Sequence, residues 1–359
     1  MKKAGDGHRP SRLTLASASD RMPRKTIEDI VPANASRAPG QAALIALDWG
    51  TSSLRGFLLD AAGTVLEQRA SPHGITNLPE PGEAGFEAAF SGLCGEWRGQ
   101  HPGVPVVACG MVGSAQGWKE APYANCPADA RLLASKAAEI RARDGSRILV
   151  APGLTCREAD MPDVMRGEEI QVAGALFTHP QLAEHSLLVM PGTHSKWVTV
   201  EGGRITRFAS HMTGEVFAVL RRHSILGRLM PEEAAPPDTA RAAFSRGLAM
   251  GADGGPGLLH QIFATRTLGL TDELPGAALG DFLSGLLIGH EVAAGLRGRA
   301  QLDAPIALIG ELALCERYAE ALSQRGVSAA AMLGNTAPAG LFHFATAAGL
   351  LAAAPEITA

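Results

Sequence analysis

The sequence predicts an α/β protein made of two domains that repeat one pattern. Short apolar segments typical of buried strands alternate with helical segments throughout the chain after residue 40. A strand-turn-strand unit at residues 44–69 recurs in outline at residues 187–208, which indicates an internal duplication. The length of 359 residues, 46% of them hydrophobic, is sufficient for two cores of ordinary size.

The first strand-turn-strand unit has the composition of a phosphate-binding hairpin. Residues 44–47 predict a buried strand that ends at Asp48, and the apolar residues 54–59 predict the returning strand. Gly50 lets the backbone approach a ligand closely, and Asp48 can hold a hydrated Mg²⁺. The amides and hydroxyls of the next three residues can donate to phosphate oxygens; these are Thr51, Ser52 and Ser53. The alternative is an ordinary polar turn that Asp48 caps by accepting from backbone amides.

The rest of the first half predicts further alternation of strands and helices. A strand at 64–68 precedes the loop SPHGITNLPEPGEAG, whose proline and glycine content excludes regular structure. A helix at 86–98 leads to a buried strand at 104–109, which opens into a glycine-rich loop. The elements that complete this half are a helix at 129–143, a strand at 147–153 and a helix that begins near Glu168.

The second half begins with strand, Gly-Thr turn, strand, Gly-Gly turn and strand at residues 187–208. Helices are then predicted at 216–222, 240–250, 257–264 and 280–296. The sequence PIALIGELALCERYAEAL predicts a strand, a glycine at position 310 and a helix. The last predicted helix, at 338–353, is rich enough in alanine to be buried between the domains.

The first 40 residues differ in composition from the remainder of the chain. They contain eight Lys or Arg against four Asp or Glu, whereas the remainder contains 24 against 32. Without periodicity, and rich in Ser, Pro, Arg and Ala, they predict a disordered extension. A targeting or regulatory role, or a true start at Met22, are the alternatives. The expected division is an extension at 1–40, domains at 41–183 and 184–336, and a C-terminal helix within 337–355 that packs back at the domain interface.

Composition limits the compartment and the partners. The net charge of −4 and the absence of a basic face argue against nucleic acid binding, and no run of about 20 apolar residues predicts a membrane span. The five cysteines include no C-x-x-C pair and are odd in number, which favours reduced thiols in a cytoplasm over zinc ligands or disulfides. The protein is therefore expected to be cytoplasmic and to act on a small molecule.

Several sequence motifs of other enzyme classes are absent from the chain. It has no G-x-x-x-x-G-K-[ST], which argues against a P-loop kinase, and no G-x-G-x-x-G after a strand, which argues against a dinucleotide enzyme. G-x-S-x-G and H-E-x-x-H are also absent, so common hydrolase classes lose their support.

The order of the motifs resembles that of the actin, hexokinase and Hsp70 superfamily. Strand-turn-strand units at 48–53 and 192–196, followed by strand, Gly310 and helix, correspond to its two phosphate motifs and its adenosine motif. The longer blocks DWGTSSLR, GMVGSAQGWKEAPY, VMRGEE, MPGTHSKWV, MTGE and FLSGLLIG are similar to the 2-dehydro-3-deoxygalactonokinase family, over residues 44 to about 350. The resemblance implies duplicated ribonuclease-H-like domains with ATP in the cleft between them. Homodimers are also expected from the family.

The reaction implied by this resemblance is transfer of the γ-phosphoryl group of ATP to the 6-hydroxyl of 2-dehydro-3-deoxy-D-galactonate, in galactonate catabolism. Asp48 would then position Mg²⁺, and Gly192 and Thr193 would approach the β- and γ-phosphates. Lys196 or His194 could add positive charge there, although Lys196 can equally be a solvated strand residue. A carboxylate at the start of a first-domain helix would be the general base, which leaves Glu168 and Glu169 as candidates.

A substrate with a carboxylate, a keto group and several hydroxyls needs a guanidinium and neutral donors. Arg166 is the expected carboxylate partner. Gly113 and Ser114 follow a buried strand where related kinases contact substrate, and Trp118 could form an apolar wall. Thr76 and Asn77 are further candidates that turn formation alone can explain, and Arg55 either contacts phosphate or pairs with a carboxylate.

Two alternative functions remain open at the level of sequence. The first is a kinase of the same fold that acts on another sugar acid or sugar, such as 2-dehydro-3-deoxygluconate. The second is a non-catalytic ATP-binding sensor, in which Asp48 and the two glutamates would be dispensable.

Overall fold

The computed structural model describes residues 40–158, 161–253, 255–297 and 304–351. The predicted extension at 1–40 lies outside these residues except for Gly40. The strands of the first half are β1 (Ala42–Trp49), β2 (Leu54–Asp60), β3 (Val65–Ser71), β4 (Val106–Cys109), β5 (Tyr123–Asn125), β6 (Ala138–Arg141), β7 (Arg147–Val150), β8 (Gly153–Glu158) and β9 (Met161–Met165). Its helices are α1 (Glu83–Gln100), α2 (Ala130–Ser135) and α3 (Glu168–Thr178).

The second half continues with strands and then mainly helices. Its strands are β10 (His185–Met190), β11 (Ser195–Glu201), β12 (Arg204–His211), β13 (Ile306–Ile309) and β14 (Ala329–Leu333). Its helices are α4 (Thr213–His223), α5 (Pro237–Ala252), α6 (Leu258–Leu270), α7 (Leu279–Gly295), α8 (Leu312–Gln324) and α9 (Ala337–Ala347). The predicted elements are confirmed for most of this half, although α6 is longer and α9 shorter than expected.

Two large sheets share a strand order. In the first, the order is β3-β2-β1-β4-β7-β6, and in the second it is β12-β11-β10-β13-β14. Each begins with three antiparallel strands joined by hairpins and continues with two parallel strands beside the first of them. The first sheet has one further strand, β6, which is antiparallel to β7. The strand ends that carry Asp48 and Met190 therefore occupy equivalent positions in the two sheets.

The prediction of one helix at 129–143 was wrong. Only Ala130–Ser135 is helical, begun by Asp129, whose side chain accepts a hydrogen bond from the Leu132 amide at 2.9 Å. The segment then turns into β6, which pairs antiparallel with β7 at the edge of the first sheet. Pairing with β7 thus outweighs the helical preference of an alanine-rich segment, as tertiary context often does.

A third, small sheet was not predicted. It has the order β5-β8-β9, and it contacts β12 of the second large sheet. The backbones of Ala128 and Ile205 exchange hydrogen bonds at 2.9 and 2.8 Å at this contact. The small sheet therefore covers an edge strand that would otherwise expose unpaired backbone groups.

Close helix packing depends on glycines. A Cβ atom at Gly174 of α3 would lie 2.0 Å from the Thr336 carbonyl oxygen, and one at Gly340 of α9 would lie 1.9 Å from that of Ile170. These glycines let α9 cross α3 at backbone contact, which fixes the helix that carries Glu168 and Glu169. One hydrophobic cluster combines side chains of both large sheets with those of α9, including Leu44, Leu188 and Leu341.

One stretch, Gly276–Gly295, is long and apolar enough to cross a membrane by length and composition. The expectation that no such segment exists is therefore corrected. Of its most apolar window, 61% is buried inside the protein, where α7 packs against α5. Such burial is typical of a helix in the core of a protein, which can satisfy the same criteria of length and composition.

Candidate active site

The ends of β1, α3 and β11 bring charged side chains together. Asp48 is the second-last residue of β1 and is almost fully buried. Arg55 on the paired strand β2 lies beside it, with 3.3 Å between Arg55 Nη2 and Asp48 Oδ2. Glu168 begins α3, and its Oε1 lies 3.2 Å from Nζ of Lys196 on β11. Lys196 thus connects the second sheet to the candidate acidic residues of the first half.

The pKa of Asp48 reflects the burial of its carboxylate. Burial raises its pKa, the guanidinium of Arg55 opposes that effect, and the charge of Glu168 adds to it. Asp48 Oδ2 has the ion contact with Arg55 but no hydrogen-bond partner among the described residues. The prediction left two roles open for Arg55, and the structure shows the carboxylate pairing. A buried oxygen that accepts no hydrogen bond marks a place where a cation or donor could bind.

The two candidate bases have different environments. Glu169 is fully buried, and both of its oxygens accept from the Gly167 amide, at 2.9 and 2.7 Å. Burial, reinforced by the charge of Glu168, raises the pKa of Glu169 to about 8. The Glu168 side chain is 27% exposed, and its Oε2 accepts from the Arg166 amide at 3.1 Å. Glu168 is therefore the more accessible carboxylate of the two.

The turn between β1 and β2 is supported by the long loop before α1. The Gly50 amide donates to the Ser53 carbonyl at 2.9 Å, which closes the turn, while Thr51 and Ser52 remain exposed. Thr76 donates through both its amide and its hydroxyl to the Thr51 carbonyl, at 3.1 and 2.9 Å. The Asn77 amide group donates to the Pro72 carbonyl at 3.0 Å. Both loop side chains thus have structural partners.

A second group of predicted residues surrounds the Arg166 guanidinium. Arg166 Nη2 donates to the Ala121 carbonyl at 2.9 Å, and the guanidinium lies 4.4 Å from the centre of the Tyr123 ring. Its buried Nε and Nη1 have no hydrogen-bond partner among the described residues, and neither has the buried Ser114 Oγ. A Cβ atom at Gly113 would lie 3.0 Å from Arg166 Nη1, so glycine leaves room for the guanidinium.

Trp118 belongs to an aromatic cluster. Its ring stacks on Phe86 with 5.9 Å between centroids and meets Trp49 edge-on at 5.9 Å. The ring therefore has a packing role in the first-half core that does not require a ligand.

The second turn lies at the mouth of a cavity of about 760 Å³. Gly192 and Thr193, both candidates from the sequence, line this cavity. Gly310 directly precedes Glu311, which also lines it. A Cβ atom at Gly214, at the start of α4, would lie 2.4 Å from the Gly192 carbonyl oxygen. The turn and α4 are therefore in direct backbone contact. The His194 side chain is half exposed and contacts the Glu215 carboxylate.

The cavity also contains residues that sequence reasoning missed. The lining includes four residues that were not predicted as site residues: Thr213, Gly214, Arg317 and Tyr318. Of the lining residues, only Gly192 and Thr193 of the second turn were predicted. The Thr-Gly pair, one residue after the end of β12, repeats the composition of the two phosphate turns, so a signal for Thr213 and Gly214 was present. Arg317 and Tyr318 lie within an amphipathic helix and give no such signal. Cys109, buried at the end of β4 opposite Asp48, was also missed; burial raises the pKa of its thiol well above the ordinary value.

Comparison with known proteins gives a consistent result. A model of the 2-keto-3-deoxy-galactonokinase family matches residues 48–344. The chain is 38% identical over 293 residues to 2-dehydro-3-deoxygalactonokinase of Escherichia coli (strain K12), which covers 82% of this chain and 94% of that protein. It is 36% identical over 291 residues to a candidate 2-dehydro-3-deoxygalactonokinase of Rhizobium meliloti (strain 1021), which covers 80% of this chain and 91% of that protein.

A solved structure supports the same relationship. The crystal structure of a candidate 2-dehydro-3-deoxygalactonokinase from Sinorhizobium meliloti superposes with a TM-score of 0.74 at 35% sequence identity, over 85% of this chain and 98% of that chain. Family match, relatives and fold agree over nearly the whole described part of the sequence. The chain belongs to the 2-keto-3-deoxy-galactonokinase family.

Proposed function

We propose that this protein is an ATP-dependent 2-dehydro-3-deoxygalactonokinase. It transfers the γ-phosphoryl group of ATP to the 6-hydroxyl of 2-dehydro-3-deoxy-D-galactonate and gives 2-dehydro-3-deoxy-6-phosphogalactonate, in galactonate catabolism. Family membership supports the substrate class. The observation that carries the chemistry is the charged cluster in which Lys196 of the second sheet meets Glu168, whose charge also acts on Asp48. Phosphoryl transfer needs this combination of carboxylates and a cation.

The proposed architecture is a pair of ribonuclease-H-like domains of the actin and hexokinase type, related by duplication. The shared strand order of the two large sheets supports this proposal. The domains extend over 41–183 and 184–336, and the C-terminal helix packs back between them. ATP occupies the 760 Å³ cavity with its phosphates toward the Gly192–Thr193 turn. The exposed hydroxyls and amides of Thr51 and Ser52 face the phosphates from the first domain.

Asp48 is proposed to hold Mg²⁺ through water. Its buried Oδ2, which has Arg55 as an ion partner but accepts no hydrogen bond from the described residues, fits this role. In the described part of the chain, no group of three or more His, Cys, Asp or Glu side chains could cage a metal. Mg²⁺ is commonly bound by one or two carboxylates together with substrate phosphates, so a single aspartate is adequate. When bound, the ion neutralises charge on the transferring phosphoryl group.

Glu168 is proposed as the general base. It is partly exposed, whereas Glu169 is sealed from solvent with both oxygens bound to the Gly167 amide. Glu168 accepts the proton of the 6-hydroxyl while that oxygen bonds to the γ-phosphorus and the bond to the ADP oxygen breaks. Glu169 then serves to hold the Gly167 turn, and with it the start of α3, in place.

The substrate carboxylate is proposed to bind Arg166. Two nitrogens of that guanidinium, Nε and Nη1, are buried and have no hydrogen-bond partner among the described residues. The hydroxyl oxygen of Ser114 is likewise buried and without a hydrogen-bond partner among them. Unsatisfied buried donors are costly, and a planar carboxylate satisfies a guanidinium through two parallel hydrogen bonds. Trp118 forms an apolar surface in the same region. The protein is further proposed to act in the cytoplasm, with all five cysteines as free thiols, and to associate as a homodimer.

One experiment separates the proposed function from two alternatives. A kinase of this fold could prefer the gluconate epimer of the substrate, which differs at one hydroxyl. A non-catalytic ATP sensor would bind nucleotide without turnover. We would measure conversion of ATP to ADP with Mg²⁺ against 2-dehydro-3-deoxygalactonate, its gluconate epimer and a panel of plain sugars, with the wild-type protein, Glu168→Gln and Glu169→Gln.

The proposal expects galactonate-selective turnover that Glu168→Gln reduces by about 100-fold or more, in the range of a lost general base. Glu169→Gln should retain most of the activity, because glutamine can still accept from the Gly167 amide. Turnover on another compound alone would keep the fold and discard the substrate. Absence of turnover on every compound would favour the sensor.

A further inference from the structure

An ion pair between Lys196 and Glu168 joins the two large sheets. Lys196 is the second residue of β11, and Glu168 is the first residue of α3. Their charged atoms are 3.2 Å apart, and Lys196 Nζ also donates to the His194 carbonyl at 2.9 Å. The lysine side chain is 4% exposed. The ammonium is therefore largely withdrawn from water, and Glu168 is its anionic partner in the structure.

A buried ammonium needs an anion, because its hydration has been lost. Lys196 follows the Gly192–Thr193 turn by three residues, and that turn lines the cavity assigned to ATP. A triphosphate bound at the turn brings a second anion, of higher charge, within reach of the same flexible side chain. Glu168 and the phosphates then compete for one cation.

We propose that Lys196 exchanges Glu168 for the terminal phosphates of ATP, so that the carboxylate becomes a free proton acceptor only when nucleotide is bound. The inference rests on the proposed function, because it uses Glu168 as the base and the cavity as the ATP site. Glu168 afterwards takes the proton of the attacking hydroxyl, as in the transfer step described above.

The exchange has a thermodynamic signature. Glu168 must give up its cation before ATP can use it, so the carboxylate opposes ATP binding through Lys196. Glu168→Gln removes the charge at nearly constant shape and should tighten ATP binding. Simple repulsion between Glu168 and phosphate would also tighten it, but that effect does not require Lys196. The same substitution in a Lys196→Met background separates the two explanations.

The experiment is calorimetric titration of Mg²⁺ and the non-hydrolysable ATP analogue AMP-PNP into four proteins: wild type, Glu168→Gln, Lys196→Met and the double variant. Glu168→Gln should bind about threefold more tightly or better, the order expected for a partly exposed ion pair. Lys196→Met should bind about tenfold more weakly, as for the loss of one charge-assisted contact. The double variant should match Lys196→Met within about twofold, because no cation remains to be released.

Glu169→Gln is the matched control. It lies one residue away and makes the same change of side chain, but its oxygens contact the Gly167 amide and not Lys196, so its affinity should stay near that of the wild type. Thermal melting of each variant verifies folding. If Lys196→Met does not fold, Lys196→Gln, which keeps a donor for the His194 carbonyl, replaces it.

Two results would overturn the exchange: a Glu168→Gln protein that binds AMP-PNP no more tightly than the wild type, or an equal gain in the Lys196→Met background. Failure of the wild type to bind AMP-PNP at all would instead contradict the proposed function. A wild type that binds nucleotide and phosphorylates the sugar acid, without the predicted gain in Glu168→Gln, would contradict the exchange alone.

Discussion

Asp163 accepts hydrogen bonds from both the amide and the hydroxyl of Ser210, at 2.6 and 2.7 Å. Asp163 belongs to β9 of the small sheet, and Ser210 belongs to β12 at the edge of the second large sheet. Cys156 of β8 also donates through its thiol to the Phe208 carbonyl at 3.2 Å. The small sheet is thus fastened to β12 by side chains, in addition to the backbone pairing of Ala128, which follows β5, with Ile205 of β12.

Asp163→Ala should lower the free energy of unfolding by about 2 kcal/mol or more, because it removes the acceptor of the Ser210 amide, the Ser210 hydroxyl and the Val164 amide. Ser210→Ala is the matched control and should cost about 1 kcal/mol, since the amide keeps its partner. Urea denaturation measures both values. Equal losses in the two variants would show that the Ser210 amide contributes nothing to the fastening.

Much of the fold can be predicted because its signals are local. The apolar run before Asp48 and the glycine of the turn specify the first hairpin from adjacent residues, and the second hairpin repeats them. The small sheet escaped prediction because β5 has only three residues and pairs with β8 across the intervening α2, β6 and β7, although β8 and β9 are neighbours in sequence. Helical propensity in the alanine-rich 129–143 segment is likewise a local signal, which the pairing of β6 with β7 overrides.

The candidate site divides in the same way. Asp48, Gly192 and Thr193 belong to turns whose composition is readable in the sequence, and the structure places the latter two on the cavity. The pairing of Lys196 with Glu168 could not be predicted, because it depends on how two sheets are arranged in space. Burial, which distinguishes Glu168 from Glu169, also arises from tertiary packing, here of α9 on α3.

Gly214→Ala should weaken ATP binding by about tenfold or more, because the new methyl group would lie 2.4 Å from the Gly192 carbonyl oxygen and force α4 away from the phosphate turn. Titration with AMP-PNP measures the effect. Gly92→Ala on α1 is the control: no atom lies within 4 Å of its added Cβ, so affinity should be unchanged and stability slightly raised. Wild-type affinity in Gly214→Ala would show that α4 does not position the turn.

Tyr318→Phe tests a buried network on the wall of the cavity. The Tyr318 hydroxyl donates to Glu291 Oε2 at 2.6 Å and lies 3.0 Å from Ser195 Oγ, while Trp197 Nε1 donates to Glu291 Oε1 at 2.8 Å. Removing the hydroxyl deprives a buried carboxylate of a donor and should cost about 2 kcal/mol of unfolding free energy. Ser195→Ala, which leaves the bond from Tyr318 to Glu291 intact, should cost less than half of that. Chemical denaturation that ranks the two variants in the opposite order would contradict this account.

Glu169→Gln should change the pH dependence of stability. Burial and the charge of Glu168 raise the pKa of Glu169 from 4.5 to about 8 in the folded protein. Between these two values the folded state binds a proton that the unfolded state has lost, so this glutamate contributes stability that is complete below pH 4.5 and is lost as the pH rises through about 8. A neutral glutamine has no such loss.

The unfolding free energy of Glu169→Gln, relative to the wild type, should therefore rise by more than about 1 kcal/mol between about pH 5 and pH 8.5. Urea denaturation at several pH values gives the difference curve. Glu80→Gln, on an exposed loop, controls for the change in net charge. A flat difference curve would mean that Glu169 is already ionised in the folded protein at pH 5. In that case the Gly167 amide would hold a charged carboxylate. Only the difference in exposure, and no longer the raised pKa of Glu169, would then favour Glu168 as the base.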